Sequence, residues 1–145
     1  MRTLLIALAA TLPLSAADVD VGAVDQKAPT KEALTAPKKD AGVTTVELKG
    51  TVKGKAAKDE KRTLYVAIAP LGRDGAATNW WIQGEVSKDG TAFSAEAQFG
   101  EEAAGVGEYF AVIALASDEK WMTGDMLDKM PPGTTYSKVT IVKRK

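Results

Sequence analysis

Within "TAFSAEAQFG", Thr91 to Gly100, the stretch from Phe93 to Phe99 alternates strictly between apolar and polar positions. Phe93, Ala95, Ala97 and Phe99 fall on one side; Ser94, Glu96 and Gln98 fall on the other. Successive side chains of a strand point to opposite faces, so this period predicts a half-buried β-strand. Five other segments after Val43 read as strands: "VTTVELKGTVKG", "RTLYVAIAPLG", "NWWIQGEVS", "EYFAVIALAS" and "TYSKVTIVKR". The intervening "RDGAAT", "KDG" and "EEAAGVG" carry the Gly and Asp that tight turns require. One segment departs from the pattern. "TGDMLDKMPPG", Thr123 to Gly133, predicts a short helical turn capped by Asp125 and ended by Pro131 and Pro132.

The alternation assigns faces. In the first segment Val46, Leu48 and Val52 point inward, and Glu47, Lys49, Thr51 and Lys53 point outward. In the last, Val139 and Ile141 point inward. "TLYVAIAPL" and "YFAVIALA" are apolar on both faces, as expected of central strands covered on each side. In "NWWIQGEVS" the two tryptophans cannot share a face. Trp80, with Ile82, is expected in the core between two layers, and Trp81, with Gln83, on the polar face. With no crossover helix to join parallel strands, the pairing is expected to be antiparallel. Val43 to Lys145 is therefore read as one all-β domain, an antiparallel β-sandwich of about seven strands, near the usual size of about 100 residues.

The N-terminal part reads differently. Arg2 is followed by the apolar run Leu4 to Leu14, with small residues at Ser15 and Ala17. This is the pattern of a signal peptide, residues 1–17, cleaved before Asp18. The run is shorter than the roughly 20 residues of a spanning helix, so no integral membrane protein is expected after cleavage. Residues 18–42 hold no aromatic side chain and two prolines, and are rich in Ala, Lys and Asp. Such a composition predicts a disordered linker.

Composition then narrows the chemistry. The chain contains neither Cys nor His. An exported chain without Cys depends on its core rather than on disulfides. Without His, most nucleophile–base schemes and most transition-metal sites are absent. Lys and Arg number 19, as do Asp and Glu, and the charges are scattered, so nucleic acid is not an expected partner.

The order of features also resembles a family of small Ig-like β-sandwich modules on exported bacterial proteins. The resemblance covers roughly Thr63 to Arg144. It rests on "LYVAIAPLG", "NWWIQGEV", "DGTAFSAEAQFG", "GEYFAVIALAS" and the closing "WMTGDMLDKMPPGTTYSKVTIVKRK", taken in that order. It implies an Ig-like fold and a non-catalytic surface or periplasmic module.

Candidate chemistry follows. The carboxylate pairs Glu101–Glu102 and Asp118–Glu119 could support glycosidic hydrolysis only across a cleft, and they read as solvated turn residues. Asp118, Glu119 and Asp125 flank one loop, but no EF-hand spacing supports a calcium site. Ser137 and Lys138 are adjacent on a strand and face apart. Trp121, Met126, Leu127 and Met130 are expected to plug the open end of the sandwich. The expected function is an exported, periplasmic or secreted, non-catalytic binding or structural module without a cofactor. Its partner would be an envelope protein or a glycan. An alternative is a carbohydrate-binding module using an exposed aromatic face, and a small hydrolase is a remoter one. The candidate ligand-binding residues are Trp81, Tyr65, Gln83 and Trp121.

Overall fold

The computed structural model describes residues 18–30, 32–71 and 79–145. The expected signal peptide, residues 1–17, lies outside the described residues. Eleven strands are present among the described residues, five of them only two or three residues long. They are β1 (Val19–Ala23), β2 (Thr44–Val46), β3 (Lys49–Lys55), β4 (Thr63–Pro70), β5 (Trp80–Ile82), β6 (Ser87–Asp89), β7 (Ala92–Gln98), β8 (Tyr109–Ser117), β9 (Met126–Leu127), β10 (Thr135–Tyr136) and β11 (Thr140–Arg144). A smaller sheet has the order β1-β3-β7-β6; a larger one has the order β2-β11-β8-β4-β5-β9, with β10 also paired to β8. No helix among the described residues is long and apolar enough to cross a membrane.

The all-β expectation holds, but the purely antiparallel pairing does not. β1 runs parallel to β3, and β2 parallel to β11. Both parallel pairs lie at sheet edges, where a strand arriving from the N-terminal side needs no tight hairpin to its neighbour. The segment "VTTVELKGTVKG" is accordingly not one strand. It breaks at Glu47–Leu48, so that β2 joins the larger sheet and β3 the smaller. Val46 and Val52 stay in one cluster because a strand that switches sheets keeps its inward residues facing the same interior.

The sheets pack face to face through Val52, Phe93, Ala95 and Ala97 from one side and Val66, Ile68, Val112 and Val142 from the other. β4 and β8, apolar on both faces, are neighbours inside the larger sheet. Their second face carries a separate cluster, including Tyr65, Ala67, Trp80, Ile82, Ile113 and Leu115.

This second cluster corrects two expectations. Trp80 is 5% exposed, so it is a core residue, yet it does not lie between the two sheets. It lies on the far face of the larger sheet, under Leu34, Ala36, Leu127 and other apolar residues. Of residues 18–42, expected to be a disordered linker, residues 18–30 and 32–42 are described and take part in the fold. They supply β1, whose Val19 and Val21 are buried, and Leu34 and Ala36 as part of the cover over the second cluster. Lys143 Nζ donates to Asp40 Oδ2 at 2.8 Å and Tyr109 Oη donates to Asp40 Oδ1, fixing the end of this segment to β11 and β8. Alanines and valines there gain burial by joining a sheet already formed, which local composition does not reveal.

The C-terminal third differs similarly. Val139 and Ile141 pack on the second cluster, whereas Val142 turns toward the smaller sheet. The short helical turn expected at Asp125 is replaced by β9. Asp125 Oδ2 accepts from Met122 N at 2.7 Å and so closes a turn rather than capping a helix. Trp121, Leu127 and Met130 do not plug an end; they pack on the larger sheet's second face.

Candidate functional site

β5 is a short strand with two tryptophans, and its length decides what is left uncovered. It pairs with β4 at only two positions, Ala67↔Ile82 and Ile68↔Trp81. One further bond, from Gln83 N to Val66 O at 2.9 Å, ends the ladder. The chain then leaves at Gly84 for the smaller sheet. Gln83 ties down this crossover: its Nε2 donates to Trp81 O at 3.0 Å, and its Oε1 accepts from Gln98 N at 2.8 Å. The side chain at position 83 thus joins the two sheets.

The crossover divides this side of the molecule into two hollows that meet at Ile82, Gln83 and Thr123. The first has a volume of about 470 Å³. Trp81 lines it, 42% exposed, together with Ile68, Pro70, Gln98 and Phe110. Trp81 is opposite Ile68, so its ring is on the face that meets the smaller sheet. Across β5–β9, Met126 is its direct partner and is 49% exposed. A cross-strand aromatic–thioether pair on an exposed surface is the kind of apolar feature that binding sites use.

The far wall of this hollow is the loop after β7, and a buried arginine shapes it. Arg144 is 6% exposed. Its Nη1 donates to Phe99 O at 3.0 Å and Ala104 O at 2.8 Å and also to Glu101 O; its Nη2 donates to Glu102 O at 3.2 Å. One guanidinium therefore holds the whole turn through its carbonyls, a task suited to a planar fork of donors. Gly100 is required there. Its φ is +84°, and a Cβ would stand 2.6 Å from Ala104 O.

The second hollow, about 810 Å³, opens where β4 runs on past the end of β5. Leu64, Tyr65, Val86, Trp121 and Met122 line it. The Tyr65 ring meets Trp121 edge-on at a centroid distance of 4.9 Å. Tyr65 Oη donates to Glu119 O at 3.0 Å and accepts from Trp121 N at 3.1 Å. Met122 beside them is 76% exposed. At the rim, Arg62 and Glu60 form a two-point ion pair, Nη2–Oε1 2.6 Å and Nε–Oε2 2.9 Å. Hydrogen bonding by the Arg62 guanidinium holds the Glu60 carboxyl down at about 2.

The four residues expected from sequence are thus divided. Trp81 and Gln83 line the first hollow; Gln83, Tyr65 and Trp121 line the second. Tyr65 does not share a sheet face with Trp81, because it lies in the far-face cluster while Trp81 pairs with Ile68 of the other. Its hydroxyl is committed to the Glu119–Trp121 backbone, so it positions Trp121. Sequence reasoning missed Pro70, Gln98, Phe110 and Arg144. For Arg144 a signal existed: it shares the parity of Val142, which places it inward. Asp118, Glu119 and Asp125 form no metal-binding cluster, and none exists among the described residues. No protein-family model matches this chain, and no curated protein or solved structure matches it either.

Proposed function

We propose that this chain is an exported, non-catalytic binding module of the cell surface or periplasm, with an Ig-like arrangement of its central antiparallel strands, and that Trp81 marks its ligand site. One observation carries the reading. Of two adjacent tryptophans, one is sealed in a core, while the other is held exposed over a hollow whose far wall is locked by Arg144. A large amphipathic ring kept out of the core, on a rigid support, suits recognition. The lack of His and Cys in the chain supports binding rather than nucleophilic chemistry. Export is supported by the apolar run Leu4 to Leu14 and the small residues that follow it.

The test is an NMR titration of the folded protein with fractionated envelope material, following the three indole N–H signals. The Trp81 signal is expected to move and the Trp80 signal to stay. Trp81→Ala is expected to abolish the response while leaving the melting temperature unchanged. Responses that persist in Trp81→Ala would overturn the assignment. Terminal sequencing of the exported protein is expected to begin at Asp18; a chain retained with residues 1–17 in the cytoplasm refutes the export part.

A further inference from the structure

Resting on that reading, we infer that the two hollows form one track and that its ligand is an uncharged glycan chain long enough to lie across both. The hollows are adjacent and share Ile82, Gln83 and Thr123 as a common wall. Apolar groups stand at both ends: Trp81 with Met126 at one, Trp121 with Met122 at the other. Between them are short polar side chains fixed by the fold. Thr123 Oγ1 donates to Gln83 O at 3.3 Å, which leaves its lone pairs free to accept. The Gln83 amide uses one donor and one acceptor on the protein and keeps one of each. Aromatic and thioether side chains at the ends and polar donors and acceptors between them match a chain of pyranose rings, which has apolar faces and polar edges.

Charge and backbone geometry argue against the other polymers. One hollow carries Arg62, Lys88 and Glu85, the other Glu101 and Glu108, with the Arg144 guanidinium behind Gly100 and Gly105. Arg62 is committed to Glu60, and Lys88 Nζ donates to Ala57 O at 3.1 Å. Mixed signs along one track select neither a polyanion nor a polycation. A peptide binding by strand addition needs a run of free edge. Here β9 has two residues, and β4 runs only from Thr63 to Tyr65 beyond the Gln83 N–Val66 O bond.

The experiment titrates the protein with β-1,4-linked glucose and N-acetylglucosamine oligomers of about two and about six units, and with an uncharged twelve-residue peptide pool as a separate arm. Long oligomers of at least one sugar are expected to move both the Trp81 and Trp121 indole signals and to bind at least about tenfold more tightly than short ones, as a second contact on one chain predicts. Met122→Ser, at an exposed position, is expected to weaken the long oligomer toward the affinity of the short one. Equal affinity for short and long oligomers, or a Met122→Ser without effect, overturns the single track. Peptide binding at Trp81 with no response to either sugar overturns the glycan inference and leaves the binding-module reading standing. No response to any arm overturns the glycan inference, and the envelope titration alone decides the binding-module reading.

Discussion

The ring of Phe93 fills the space beside Gly54 that any side chain there would occupy, and Gly22 O closes the same space from β1, 2.7 Å from where a Cβ would stand. Gly54 and Phe93 are paired across β3 and β7, so the approach is built into the register. Gly54→Ala is expected to push Phe93 off its rotamer and to cost roughly 1–3 kcal/mol. A urea titration of the variant would measure the loss; an unchanged midpoint contradicts the packing described.

Trp80 and Trp81 should separate in stability as they do in burial. Trp80→Ala removes a ring from the second cluster and is expected to cost roughly 3–5 kcal/mol. Trp81→Ala is expected to stay within about 0.5 kcal/mol of the parent, as exposed substitutions do. Acrylamide quenching of each single-tryptophan variant gives the matching optical check.

Ser137 is buried between β10 and β11, where its hydroxyl stands in for a missing rung of the ladder. Its Oγ accepts from Ala114 N at 2.9 Å and donates to Lys138 O at 3.0 Å. Ser137→Ala leaves the Ala114 N–H without that acceptor, at an expected cost of roughly 1–3 kcal/mol. Faster amide exchange at Ala114, ahead of global unfolding, would be the local signature.

Replacing Arg144 by Lys keeps the charge and loses the fork. A single ammonium cannot serve carbonyls spread from Phe99 to Ala104. Arg144→Lys is expected to raise amide exchange across 99–105 and to weaken ligand binding at Trp81, with the far-face cluster unaffected.

The Glu60–Arg62 pair sets an acid limit. The folded carboxyl titrates at about 2 against an ordinary 4.5. The unfolded chain therefore binds more protons between those values, so the pair's contribution is complete above the ordinary value and is lost as pH falls through that window. The difference in unfolding free energy between the parent and Glu60→Gln is expected to be constant from neutral pH down to about 5 and to shrink toward about 2. A difference that does not change with pH contradicts this.

The local period carried much of this fold and little of its assembly. Phe93, Ala95, Ala97 and Phe99 are all buried as their alternation requires, and β4 and β8 are central as their doubly apolar sequences require. The contrast between Trp80 and Trp81 was legible for the same reason. Which layer covers Trp80 was not, because Leu34 and Ala36 lie in a segment with no strong period of its own. β1 offers only the three-residue alternation "VDV" in a segment without aromatic side chains, too short a period to mark a strand. The first hollow depends on where β5 stops and on an arginine about forty residues from the loop it holds, and no window of sequence brings these together.

That separation along the chain has a consequence for synthesis. Residues 99–104 leave the ribosome well before Arg144, which follows Ala104 by 40 positions. Until that late guanidinium arrives, the carbonyls of Phe99, Glu101, Glu102 and Ala104 lack its donors. The hollow beside Trp81 therefore takes its final shape only once β11 has paired with β8, and a chain stopped before β11 is expected to show fast amide exchange across 99–104.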